Sequence, residues 1–506
     1  MQSTRRPPLG ITVFLSELRV SPTKSCADLA DLVAFATWAK KVGFSSLWLG
    51  PLALMQAEDD IAPYTPESRC FIDPAYLPGL ANVRVEVGFA KTEMAQGVIG
   101  ELKKHRSLAA RAILEAQWSD FEASCYFDPS AAERIARSLS SRHLDLAARV
   151  YWQLAYGADI DYPCSAAEEL RTKVVLSQAL GHGAMSMTNA IIPLGLDLPV
   201  GTSPGGVDAV EFEEWVLRGG FLGAPPDYFN PHGQSWGLVG YDLGAKGHSG
   251  ALDASPLRVP LSLFSPVSSA VRIDHAIGLQ QLCLVRDVND LDAAQEPTYY
   301  VPQPREALVE LLGRFSLDTG LLIVAEDLGV VPNGLRESLS SAGILLTKVL
   351  CFEDGDAATL HEASVVSLTT HDTNTARQLL GVCPGEPPEE PLRARAEMHV
   401  RAQRVSPLVV SNGFLAFVER NFDSSESLLR RDYLMENLPA LVSALERSSS
   451  RIKLISLRDL CGECERLNLP GSTQAHRVNF FRPLGLSGEF LGDLCATDVL
   501  FEDSDF

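Results

Sequence analysis

Eight short apolar runs, most of them followed by a stretch of helical periodicity, constrain this 506-residue chain more than any other feature. They lie at residues 10–15, 45–49, within 189–200, and at 270–274, 321–326, 348–352, 365–368 and 451–456. Such runs, rich in Val, Ile, Leu and Phe and bounded by Gly, Pro or polar clusters, read as strands buried on both faces. Strands that alternate with helices build a parallel sheet, and eight units favour closure over an open sheet. The expected fold class is α/β, a (β/α)8 TIM barrel with inserted, mainly helical subdomains. No Gly-x-Gly-x-x-Gly or Gly-x-x-x-x-Gly-Lys-Ser/Thr follows any run, which counts against nucleotide binding.

The spacing between runs sets the expected domain plan: one catalytic barrel over residues 1–506, with two insertions. The first, at 80–185 between strands 2 and 3, is too long for a simple crossover and is dominated by helical periodicity. Its aromatic stripe, Tyr151, Trp152 and Tyr156, reads as core rather than as a sugar platform. The second, at 202–265 between strands 3 and 4, holds a segment crowded with Asp227, Tyr228, Phe229, Asn230, His232, Gln234 and Trp236 among prolines and glycines. Aromatic faces and polar groups on an irregular loop suit sugars, so this loop is a candidate carbohydrate-binding lip.

Charge narrows the partners. Lys and Arg number 43 against 64 Asp and Glu, a net charge of −21, and no long basic run exists, so a phosphate backbone has nothing to bind. A neutral substrate fits better. The ten cysteines are scattered and several sit in apolar runs, which predicts reduced, core-filling thiols; the pair Cys461 and Cys464 reads as structural. No apolar run approaches the ~18 residues of a membrane span, and residues 1–8 do not lead into a signal-like apolar stretch, so a cytoplasmic protein is expected.

In a barrel of this kind the chemistry sits at the C-terminal strand ends. Read in order, those ends carry Asp197, then Asp274 two residues after Arg272, then Glu326 with Asp327, then His371 with Asp372. Strand alternation puts Arg272 and Asp274 on one face, where the guanidinium is expected to lower the carboxyl pKa and keep it ionised, as a nucleophile requires. A structural ion pair capping the strand is the competing reading of that segment. Glu326 follows Leu321, Leu322, Ile323, Val324 and Ala325, and apolar surroundings raise a carboxyl pKa as an acid/base requires. Several acids around one mouth are the arrangement that glycoside chemistry uses.

These residues resemble the motifs of the 4-α-glucanotransferases (amylomaltases, glycoside hydrolase family 77). The matching pieces are Arg272-Ile-Asp-His275, Ala325-Glu-Asp-Leu-Gly329, Thr370-His-Asp-Thr373, Pro225-Pro-Asp-Tyr-Phe229 with Gly233-Gln-Ser-Trp-Gly237, Asp197-Leu-Pro-Val-Gly201, Pro63-Tyr-Thr-Pro-Glu-Ser-Arg69 and Asn468-Leu-Pro-Gly471, in the family's order. The resemblance implies Asp274 as nucleophile, Glu326 as acid/base and Asp372 as transition-state stabiliser, with Arg272 and His371 in support. It places Tyr64, Asp197, Asp227 and Trp236 in or near the glucan cleft, and it implies α-1,4-glucan substrates, no organic cofactor and no metal. A monomer or homodimer is expected. Departures from the pattern are Leu282-Cys283-Leu284-Val285 where aromatics are usual, Lys24-Ser-Cys-Ala-Asp28 where a glycine-rich turn is usual, and Phe480 where Trp is common. Fewer stacking platforms follow. An α-glucan hydrolase on the same trio and a catalytically silent glucan-binding protein are the alternative readings.

Overall fold

A computed structural model describes residues 9–18, 27–55, 62–79, 95–225, 233–244, 252–286, 298–353, 360–383, 408–421, 424–468, 494 and 500–503. In chain order the strands are β1 (Leu9–Val13), β2 (Ser46–Leu49), the hairpin β3 (Ala53–Met55) and β4 (Pro66–Ile72), β5 (Leu194–Leu198), β6 (Phe221–Ala224), β7 (Gln234–Leu238), β8 (Ala270–Ile273), β9 (Gln281–Val285), β10 (Thr298–Pro302), β11 (Leu322–Ala325), β12 (Leu345–Val349), β13 (Ser364–Ser367), β14 (Leu408–Val410), β15 (Ile452–Ser456) and β16 (Phe501–Asp503). Eight of them close a parallel barrel in the order β1-β2-β5-β8-β11-β12-β13-β15 and back to β1. All eight expected runs are therefore barrel strands, in sequence. The sixth is displaced: β12 covers Leu345–Val349, and the expected residues Leu350–Phe352 form a one-turn helix instead. No Gly, Pro or turn signal separates the two pieces, so periodicity alone could not place the boundary.

Inside the barrel, Trp48, Ala270, Val324, Leu345, Val365 and Leu454 form a buried layer. Trp48 fits because its neighbour on β5 is Gly195; a β-carbon there would stand 2.5 Å from the indole ring. Nearer the mouth the inward residues shrink to Thr12, Thr347, Ser367 and Ser456, and these line a cavity of about 120 Å³ that reaches Asp197, Arg272 and His371.

Helices wall the barrel. The first, α1 (Leu29–Lys41), buries Leu32, Phe35, Ala36, Trp38 and Ala39 and starts at Asp28, whose carboxylate accepts the amides of Ala30 and Asp31. Between β4 and β5 lie α2 (Ala95–Glu115), α3 (Trp118–Glu122), α4 (Pro129–Ser138), α5 (Ser141–Tyr156) and α6 (Ala167–Ile191). Tyr151 is fully buried, as expected, with its hydroxyl donating to the Ile72 carbonyl at 3.2 Å, whereas Trp152 and Tyr156 stay half-buried at the surface. Residues 80–94 of the first expected insertion, and 226–232 and 245–251 of the second, lie outside the described residues.

The second insertion contributes β6 and β7 to a four-stranded antiparallel sheet, β10-β9-β6-β7. Leu282, Cys283 and Leu284 are buried on β9, and the two leucines pack with Leu222 and Leu238. These apolar residues thus fill a small core. No helix among the described residues is long and apolar enough to cross a membrane.

Candidate active site

Four strand ends meet at the barrel mouth. Asp197 lies within β5, Asp274 just beyond β8, Glu326 just beyond β11, and His371 with Asp372 in the turn after β13. Parallel register does the alignment: Asp197 faces Arg272 across the β5–β8 pair, and Ala325 faces Ile273 across the β11–β8 pair.

Arg272 bridges two carboxylates. Its Nη1 donates to Asp197 Oδ1 at 2.7 Å and Oδ2 at 2.8 Å, and to Asp274 Oδ1 at 3.1 Å. Tyr64 donates its hydroxyl to Asp197 Oδ2 at 2.6 Å and stacks on His371 with ring centroids 4.6 Å apart. Phe14 stands edge-on to His371 at 5.6 Å and 6.5 Å from the Tyr64 ring, in the space that Gly50 leaves open. His371 Nε2 reaches Asp372 Oδ2 at 3.2 Å, and Asn468 donates its side-chain amide to Asp372 Oδ1 at 2.6 Å.

The Tyr64 hairpin is anchored from below. Arg69 donates to the carbonyls of Val200 and Pro256 at 3.3 and 2.7 Å, and its backbone amide donates to the buried Asp208 at 2.9 Å. Cys70, His143 and Asp208 form the one group of metal-type donors within 4.8 Å of one another among the described residues. Asp208 is already occupied there by Ser68, His143 and Arg69, so the cluster is a hydrogen-bonded core network.

Burial reverses one electrostatic expectation. Asp274 is pushed up to about 6, because desolvation outweighs the Arg272 guanidinium, which is shared with Asp197. Glu326 rises further, to about 8, through burial and the charges of Asp274 and Asp372, with Arg272 opposing. At neutral pH Asp274 is ionised and Glu326 keeps its proton. Burial acts upward on Asp372 as well, yet His371 and Asn468 hold it at about 2. Asp372 in turn raises His371 against the pull of desolvation. Burial and the Asp197 charge keep Tyr64 a phenol.

Of the sequence-derived site residues, Tyr64, Asp197, Arg272, Asp274, Glu326, His371 and Asp372 come together at this mouth. Trp236 on β7 sits beside it, edge-on to His275 at 4.9 Å. Asp227 lies outside the described residues. Two contributors carried no sequence expectation of a role: Asn468, although its motif was legible, and His275, whose backbone donates to Glu326 Oε2 at 3.0 Å. Phe14 gives no sequence signal beyond an apolar strand end.

The thiol expectation needs correction. Cys383 and Cys464 form a disulfide across 81 residues, tying the segment after the short helix Ala376–Leu379 to the segment that carries Asn468. Cys70, Cys283, Cys351 and Cys461 are buried thiols, and Cys125 and Cys164 are exposed. A partner that distant leaves no local spacing to read.

Comparison with known proteins agrees with the fold. Amylomaltase from Corynebacterium glutamicum superposes with a TM-score of 0.68 at 21% identity, over 97% of this chain and 75% of that one. Amylomaltase from Streptococcus agalactiae, solved in complex with acarbose, gives 0.61 at 16% identity, over 97% and 98%. The 4-alpha-glucanotransferase of Mycobacterium bovis is 27% identical over 92% of this chain and 70% of its own length. That of Chlamydia caviae is 26% identical over 73% and 74%. The family model described as 4-alpha-glucanotransferase, glycoside hydrolase family 77, matches residues 171–483, more than half of the chain, and the chain belongs to that family.

Proposed function

We propose that this 4-α-glucanotransferase works by a retaining double displacement in which Asp274 is the nucleophile, Glu326 the acid/base and Asp372 the stabiliser of the oxocarbenium-like transition state. The observation that carries the reading is geometric: Asp274 Oδ1 accepts from the Arg272 guanidinium at 3.1 Å, while Glu326 on the adjacent strand end accepts from an uncharged backbone amide at 3.0 Å, and burial raises both carboxyls, Glu326 further. In the first step the Asp274 carboxylate bonds to the anomeric carbon. The bond to the departing 4-oxygen breaks, and that oxygen takes the Glu326 proton. In the second, Glu326 accepts the proton of an incoming 4-hydroxyl, whose oxygen displaces Asp274.

Tyr64, Asp197, Arg272 and His371 are the proposed wall of the reacting subsite, and Asp227 and Trp236 its lip. The paired acceptors and donors at Asp372 and His371 suit sugar hydroxyls, which need both. We also propose the helical segment 80–185 and the segment 202–265 as subdomains on a single barrel, the second shaping the cleft. We propose a cytoplasmic setting, with a monomer or homodimer; the four buried thiols support it, while the Cys383–Cys464 disulfide points to an oxidising one.

Incubation with maltotriose tests the reaction: glucose plus a ladder of longer maltodextrins is expected, and Asp274→Asn abolishes both. Shorter products alone would return the hydrolase alternative. Unchanged activity of Asp274→Asn would remove the nucleophile assignment. The relatives reported above bear the transferase name, which disfavours hydrolysis and silent binding.

A further inference from the structure

His275 is the one non-glycine residue among those described whose backbone enters the left-handed region, at φ 46° and ψ 51°. A residue with a β-carbon takes that conformation only where its surroundings hold it, and such outliers concentrate at working sites. The turn reverses the chain directly after Asp274 and aims the His275 N–H at Glu326 Oε2, 3.0 Å away. The next amide, of Ala276, donates to the Glu326 carbonyl at 2.9 Å, and the Glu326 amide donates to the Ile273 carbonyl at 3.0 Å. The two strand ends that carry the carboxylates are thus laced in both directions. The imidazole lies edge-on against Trp236, and burial holds it neutral, at about 4.

We infer that His275 is a positioning residue whose left-handed backbone fixes which oxygen of Glu326 carries the transferable proton. An oxygen that already accepts an N–H is the carbonyl-like one, so the hydrogen of the protonated acid resides on Oε1. It leaves from Oε1 to the departing 4-oxygen as the glycosidic bond breaks; the O–H electron pair stays on Oε1 and delocalises over the carboxylate, whose Oε2 continues to accept the His275 amide. The inference rests on the acid/base reading of Glu326.

The test pairs backbone-selective substitutions with a substrate that needs no proton. Glycine adopts the left-handed region freely and asparagine readily, whereas a β-branched residue is expelled from it. Maltosyl fluoride departs as fluoride without general acid, and azide as acceptor needs no general base. His275→Gly and His275→Asn should stay within about threefold of wild type on both substrates. His275→Val should lose about tenfold or more in kcat on maltotriose at little change in KM, yet release fluoride in azide at a near wild-type rate. Equal loss of both activities, full maltotriose activity in His275→Val, or a loss in His275→Gly matching that in His275→Val would overturn the inference. Glu326→Gln is the control: selective loss on maltotriose upholds the acid/base reading independently of His275, and failure to show it would sink both.

Discussion

Glu326→Gln should abolish transfer and, at the same time, stabilise the protein by an amount that grows with pH. Burial raises the Glu326 carboxyl from 4.5 to about 8, and the charges of Asp274, Asp372 and Asp327 add to this against Arg272. An acid whose folded pKa is raised binds its proton more tightly in the folded state than in the unfolded one. The stability this gives is complete below pH 4.5 and is lost as pH climbs towards 8. Each unit is worth ~1.4 kcal/mol, and because Glu326 titrates jointly with its neighbours, ~2–4 kcal/mol of destabilisation at pH 8 is a fair expectation for the wild type. Glutamine has the shape of the protonated acid, and its carbonyl oxygen can accept the His275 amide, so the variant escapes the loss. Urea unfolding at pH 4.5, 6 and 8 measures it: the two proteins should agree at pH 4.5 and diverge at pH 8, with glutamine the more stable. A difference that does not change with pH, or a less stable glutamine variant at pH 8, would refute the reasoning.

Four further outcomes follow from the same geometry. The profile of kcat/KM against pH should be bell-shaped with limbs near 6 and 8, and Arg272→Met should move the acidic limb upward, because burial then acts on Asp274 with less opposition; an unmoved limb would count against the bridge. Asn468→Leu removes a hydrogen bond to an ionised group, worth ~1.5–3 kcal/mol, so kcat should fall by about tenfold or more at nearly constant KM, and an equal rise in KM would assign the amide to ground-state binding. Gly195→Ala drives a β-carbon into Trp48 and should cost ~1–3 kcal/mol in unfolding, recovered in part by pairing it with Trp48→Phe; no cost would mean the strands can shift. Cys383→Ser opens a loop of 81 residues and should lower stability by ~4 kcal/mol, as should a dithiol reductant on the wild type, and unchanged melting in both would argue against the bridge.

The barrel was legible because its strands are short, apolar and evenly interrupted, and a buried parallel strand has no other composition available. The boundary at β12 was not, since Leu345–Phe352 has no Gly, Pro or turn signal to mark where the strand ends. Asp197, Asp274, Glu326 and Asp372 could be found because acids at the ends of apolar runs are conspicuous. The raised Glu326 was read correctly from its apolar run, but the direction at Asp274 was not. A neighbouring arginine suggests a depressed Asp274, but the sign depends on how much water the fold removes and on Asp197, 75 residues earlier, which takes both close contacts of the same nitrogen. His275 and Asn468 act through one backbone amide and one amide contact that only tertiary structure defines.

The site is best understood as an excess of acid held together by few cations. Asp197, Asp274, Glu326 and Asp372 crowd one mouth, while Arg272 and His371 are the basic groups that reach them there. Spreading the two cations evenly would leave all four acids half-compensated and similar in pKa, which serves neither step of a double displacement. Instead Arg272 is committed to Asp197 and Asp274, and His371 to Asp372, so among the described residues no cation hydrogen-bonds Glu326, burial outweighs the pull of Arg272, and Glu326 keeps its proton. The uneven distribution is set by backbone register: β5 and β8 align Asp197 with Arg272, and the turn after β8 hands Glu326 an uncharged amide in place of a guanidinium. A basic side chain introduced against Glu326 would stabilise the fold at pH 8 and remove the acid that the reaction needs.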